Sequence, residues 1–304
     1  MKFAEPAMPE AQASSYIRAS SVMMGRHDFF SVVARLTSTE LYKIRRRAMS
    51  KVMGIIALAV ILFTFLFTPF ISQDLVHLPL SVTVAVEVSR LLGVVLTIVL
   101  VGSIVGGEYG IGTVRLMLTR GPSRIQFLLG KIGAALVCIV LGLLFMTLLG
   151  ILIGQILALF FDAATGWQFF SLVWLGQALL YLLSAMFGLS VYALMALFLA
   201  ILGRSSTAGV AGGMMWSLLE PVFGLLISTL GSHMQGPLGA FFLSVPDYLI
   251  SNNVGALLQN ESLFLTHDQP AALSNGHALL VLAAYLLFFF GLSWWLLERR
   301  DVTN

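Results

Sequence analysis

The chain has 304 residues, of which 59% are hydrophobic and only 10% charged, with a formal net charge of +3 and a mean hydropathy of +0.96. Soluble domains carry roughly 25% charged residues, so a soluble globule is excluded and the apolar excess must face lipid or other membrane helices. The single cysteine, Cys138, lies inside an apolar run and excludes an intrachain disulfide or a cysteine metal framework.

Residues 1–28 are mixed and polar, without the apolar core of a cleavable signal peptide; they read as a cytoplasmic tail. Residues 29–49 predict an amphipathic helix. Phe30, Val33, Leu36, Leu41, Ile44 and Ala48 fall roughly on one face, and Glu40 with Arg35, Lys43, Arg46 and Arg47 lie around the rest. Such a helix suits the headgroup plane; the alternative is an extension of the first span with topogenic charges. Residues 50–304 form the membrane domain. Stretches of about 20 apolar residues cross a hydrocarbon core near 30 Å thick, and six are expected: about 52–71, 84–105, 132–160, 170–202, 208–230 (broken by Pro221) and 278–297.

Loop charge orients these spans. Arg35, Lys43, Arg45, Arg46, Arg47 and Lys51 precede the first; Arg115, Arg120, Arg124 and Lys131 separate the second from the third. Arg204 lies between the fourth and fifth, and Arg299 and Arg300 follow the sixth. The alternate loops (Ser72 to Thr83, Asp162 to Phe169, Gly231 to His277) contain no Lys or Arg. Positive charge stays inside, so both termini are expected in the cytoplasm. The last outer loop holds apolar pieces, Leu238 to Val245 and Tyr248 to Leu258, between breakers at Gly236–Pro237, Pro246 and Asn252–Asn253. They are too short to span and suit re-entrant or interfacial helices. The fold class is thus an all-α integral membrane protein.

The connection from Gly106 to Lys131 is the most informative segment. Glycines at 106, 107, 110 and 112 allow a turn as the second span ends. Gly112 to Thr119 reads as a short amphipathic helix stopped by Gly121–Pro122, or as an ordinary basic loop. The pattern Glu108, Gly112–Thr113, Arg124, Phe127 and Lys131 resembles the cytoplasmic loop of permease subunits in the type 2 ABC exporter family. So do Glu40, Leu41, Lys43, Arg46 and Arg47 in the N-terminal helix, and Leu297, Arg299, Arg300 and Asp301 after the last span. The resemblance covers about Ser31 to Val302. It implies a coupling helix between Glu108 and Arg120 (with Gly112, Thr113, Arg115 and, nearby, Arg124) that docks on a separate ATPase, and a dimer with a second copy or a related permease. It also implies a bacterial or archaeal cytoplasmic membrane. The tail is longer than the pattern requires, and the short first outer loop argues against members with a large external domain there. No G-x-x-x-x-G-K-[ST] loop is present, so ATP and Mg would belong to the partner, the chain itself being neither an enzyme nor a nucleic-acid binder.

Three ionisable residues fall within spans, where charge is costly. Glu87 and Arg90, three apart, read as an ion pair or a substrate contact. Glu220 beside Pro221 could bind a cationic substrate, relay protons or bond a neighbouring helix; a secondary transporter or channel using it is the alternative function. Gly102/Gly106 and Gly150/Gly154 are small-xxx-small pairs for close helix contact, within the chain or at a dimer interface. The outer His77, His233, His267 and His277 lack metal-ligand spacing.

Overall fold

The computed structural model describes residues 29–76, 78–111, 123–160, 171–266 and 269–299. The tail (1–28), Gly112, Thr113, Arg115, Arg120 and the expected coupling helix, the 162–169 loop, and His77, His267, Asp268, Arg300 and Asp301 lie outside them.

Helix α1 spans Phe29–Arg46, and Arg47 breaks it with extended backbone before α2, Ala48–Ile71. There follow α3, Leu80–Ile111; α4, Arg124–Phe160; α5, Leu172–Gly203; α6, Ser206–Ser232; α7, Pro237–Ser244; α8, Ile250–Thr266; and α9, Asn275–Arg299. The described residues contain no strand. Six helices, α2 to α6 and α9, are long and apolar enough to cross a membrane. The chain is therefore an all-α, multi-pass membrane protein of the expected span number.

Helix α5 is the pillar of the bundle. Its most apolar stretch is 72% buried, whereas that of every other span is 39% or less. Small residues at Ala178, Ala185, Gly188, Ala193, Ala196 and Ala200 let α3, α6, α8 and α9 approach closely. Arg204 ends α5 in the left-handed region (φ 48°), and Ser205 caps α6 by accepting the Ala208 N–H at 3.1 Å. This tight turn sets α6 against α3. A Cβ on Gly106 would fall 2.2 Å from the Ser206 nitrogen, and one on Gly102 2.8 Å from that of Val210. Gly150 and Gly154 of α4 similarly admit the Phe65 ring of α2. Both small-residue pairs are thus contacts within the chain.

Three boundaries differ from expectation. Helix α3 continues through Gly106, Gly107 and Gly110 to Ile111, and α4 begins at Arg124 rather than 132. Glu108, Arg124 and Lys131 therefore stand on helices, not in the loop. Gly106 is used for close packing rather than for turning. Second, Pro221 does not break α6, which is continuous from Ser206 to Ser232; membrane helices tolerate an interior proline when neighbours satisfy the freed backbone. Third, Asn252–Asn253 lies inside α8. Its amides donate backward, Asn252 to Pro246 O (3.0 Å) and Asn253 to Asp247 O (2.8 Å) and Leu249 O (2.8 Å). Such bonds stabilise a helix start instead of ending one.

The segment between α6 and α9 folds back along α6. Gly231 lies beside the Leu243 backbone and Gly224 beside the Leu249 side chain, so α7 runs antiparallel to the last turns of α6. After a 3-10 turn at Val245–Tyr248, α8 starts level with Glu220, midway along α6. The apolar pieces read from the sequence are therefore helices of a hairpin folded back on α6. Asn260 anchors its return by donating to Leu273 O (2.8 Å) and accepting the Ala271 N–H (2.8 Å).

Candidate functional site

Helix α1 does not simply lie beside the bundle. Its inward stripe (Val33, Leu36, Thr37, Glu40, Ile44) follows the 3–4 spacing of an amphipathic helix and rests on α4. The Thr37 hydroxyl donates to Gly130 O at 3.3 Å, and a Cβ on Gly130 would meet Leu36 at 2.8 Å. Ile44 joins Leu100 and Ile104 of α3 and Ala134 of α4 in one apolar cluster. Phe30 and Ala48, expected on the same face, are exposed, Phe30 to 81%. The stripe facing protein thus includes Glu40, a charged residue that amphipathicity alone assigns to the polar side.

Glu40 is accepted there because its neighbours neutralise it. Lys43 Nζ contacts Glu40 Oε1 at 2.8 Å and Glu108 Oε1 at 3.1 Å; Lys131 Nζ contacts Glu108 Oε2 at 2.7 Å and Glu40 Oε2 at 3.5 Å. Two ammoniums and two carboxylates alternate around a square of zero net charge, drawn from α1, α3 and α4. Glu40 and Glu108 are each 5% exposed and Lys131 4%. Lys131 Nζ also sits 4.9 Å from the centre of the Phe127 ring, one turn earlier on α4. Glu108 stands in the last turn of α3, where the helix dipole disfavours an anion; the two lysines offset that penalty. Burial acts to lower the Lys43 pKa, but bonds to and attraction from Glu40 and Glu108 prevail and hold it above its ordinary value.

The cluster lies at the root of the 112–122 connection on the α3 side. On the α4 side, Arg124 donates to the carbonyls of Leu297 and Glu298, the latter at 2.7 Å, and so caps the end of α9. Both roots of the connection are therefore tied: one to α1 through charge, the other to α9 through backbone hydrogen bonds.

The remaining expected residues lie elsewhere. Arg46 stacks over Tyr42 at 5.2 Å, and Arg47 occupies the α1–α2 break. Glu87 and Arg90 form an ion pair at 2.8 Å, joined by the Tyr181 hydroxyl, which donates to Glu87 at 3.4 Å. Glu220, 5% exposed, accepts the Ser251 N–H at 3.1 Å and so places a carboxylate on the N-terminus of α8. It stitches the hairpin to α6. His233 and His277 direct their rings at the carbonyls of Thr229 (2.8 Å) and Asp247 (2.9 Å). Sequence reasoning placed Lys131 in a motif without assigning it to the site. The available signal was its position seven residues beyond Arg124, amid the apolar residues Phe127, Leu128, Leu129 and Ile132.

Fold and site together define a polytopic α-helical membrane protein whose basic end is locked by a buried ion cluster. Residues 79–303 match the DUF2705 family, described as a protein of unknown function, and the chain belongs to that family. The match begins just before α3, so it contains Glu108, Arg124, Lys131 and Glu220 and leaves α1 and α2 outside. No curated protein matches the chain.

Proposed function

We propose that this chain is the membrane subunit of an ATP-driven exporter, working as a dimer with a second copy or a related permease, and powered by a separate ATPase. The observation that carries this reading is the double anchoring of the 112–122 connection, by the Glu40–Lys43–Glu108–Lys131 cluster and by Arg124 on α9. An element that receives force from a soluble partner needs stiff roots, and buried charge pairs supply them. Closure of an ATPase pair against residues 108–120 would move α1, α3, α4 and α9 together and alternate the access of the bundle. In this reading the basic end is cytoplasmic, the membrane is the bacterial or archaeal cytoplasmic membrane, and ATP and Mg are held by the partner. Transport driven by an ion gradient at Glu220 is less well supported, because one oxygen of that carboxylate is already engaged on α8.

The test is co-expression of the tagged chain with a candidate ABC ATPase from the same genome, followed by capture and ATP hydrolysis in proteoliposomes. The wild-type chain is expected to retain the ATPase and raise its turnover. Deletion of 112–119 and Glu108→Ala are each expected to abolish the stimulation, and the charge swap Glu108→Lys with Lys131→Glu to recover part of it. Stimulation that persists after both the deletion and Glu108→Ala would refute the proposal.

A further inference from the structure

Helix α2 packs most tightly through Ala57, Ile61 and Phe65. There Phe65 enters the notches at Gly150 and Gly154, and Ala57, Ile61 and Phe65 join Ala85 and Met146 in a core cluster. Towards Arg47, Met49 and Met53 pack against the cluster of Ile44, Leu100, Ile104 and Ala134, and beside them an apolar cavity of about 270 Å³ is left between α2, α3 and α4. Its walls include Met53, Gly54, Gly93, Cys138, Gly142 and Phe145. A Cβ on Gly54 or on Gly142 would meet nothing within 4 Å, so neither glycine is required by a close backbone contact. Phe145, 57% exposed, places the opening on the lipid-facing flank of α4. Ligand pockets generally measure roughly 300–1,000 Å³, so the cavity accommodates a length of chain rather than a whole amphiphile.

The mouth is basic. Ile44 and Ser50 both line the cavity, and the turn between them carries Arg45, Arg46 and Arg47, followed by Lys51. No Asp or Glu occurs between Glu40 and Asp74, and Glu40 is already neutralised in the ion cluster. The Ser50 hydroxyl is buried without a hydrogen-bond partner among the described residues, at the level where an apolar chain would meet its polar head. An apolar slot open to the bilayer, an unused hydroxyl and a basic turn follow one another in the order of the parts of an anionic lipid. We infer that the cavity between α2, α3 and α4 binds an anionic phospholipid, with one acyl chain in the cavity and the headgroup on the basic turn. The inference does not depend on the transport proposal. A bound lipid would fill the space under Ile44 and hold α1 against the bundle.

Cys138 lines the cavity and is the only cysteine of the chain, so alkylation reports occupancy without engineering. The full chain in non-ionic detergent is treated with N-ethylmaleimide, with dioleoyl phosphatidylglycerol or dioleoyl phosphatidylcholine added. Protection follows 1 + [L]/Kd, and phosphatidylglycerol at several times its Kd is expected to slow alkylation by about fivefold, with phosphatidylcholine nearly inert. The double variant Arg47→Gln/Lys51→Gln is expected to lose the protection. Gly142→Leu, or Gly54→Leu should the first not fold, is expected to lower the phosphatidylglycerol that co-purifies, as counted by native mass spectrometry, at unchanged elution and thermal midpoint. Equal protection by both lipids, no protection by either, or full protection of the double variant would overturn the inference.

Discussion

Lys131 is the most demanding residue of the chain, since an ammonium at 4% exposure is stable only while carboxylates face it. Glu108→Gln leaves it with Glu40 alone, at 3.5 Å. Breaking a buried pair from one side costs about 3–5 kcal/mol, and the thermal midpoint in detergent should fall accordingly. Replacing both partners, as in Glu108→Leu with Lys131→Met, should cost clearly less than the sum of the single changes. Lys43 adds a pH dependence with a definite sign. Its pKa is raised in the fold, so its contribution is complete below the ordinary value near 10.5 and fades as pH climbs through the raised one. The midpoint should therefore decline above about pH 10.5, and Lys43→Gln should flatten that decline. Glu220 is a cap: Glu220→Ala removes the acceptor for the Ser251 N–H, an effect of about 1 kcal/mol. Faster amide exchange at Ser251 to Asn253, with exchange elsewhere on α8 little changed, is the expected signature.

At the scale of elements, contact geometry separates glycines that composition treats alike. Gly106→Ala would drive a methyl into the α6 backbone, 2.2 Å from the Ser206 nitrogen, whereas Gly54→Ala enters open space. The first should sharply reduce the yield of folded protein and the second should leave the thermal midpoint within about 1 kcal/mol of wild type. The extents of α3 and α4 were less legible than those of the other spans. Glycine and charge usually announce a loop, and here both occur inside helices: the glycines because α6 must approach, the charges because they neutralise one another. The hairpin folded back on α6 was legible as two short apolar pieces bounded by proline and glycine. Its depth was not, because that depends on Glu220 and Ser251, 31 residues apart.

For the molecule as a whole, charge asymmetry makes a prediction about orientation. In the Cys138→Ser background, single cysteines at Asp74 and Gln269 should react with a membrane-impermeant maleimide from outside the cell, and one at Ser205 only after the membrane is opened. Span number, the amphipathic first helix and the basic end were all determined by the sequence alone. Hydrophobic length and charge bias act locally and need no knowledge of neighbours. Only the tertiary structure decided that Glu40, Lys43, Glu108 and Lys131 form one closed square, that Arg124 caps α9, and that a cavity remains between α2, α3 and α4. Each of these joins residues distant in the chain, and a buried charge is tolerable only when packing has already placed its counter-charges beside it.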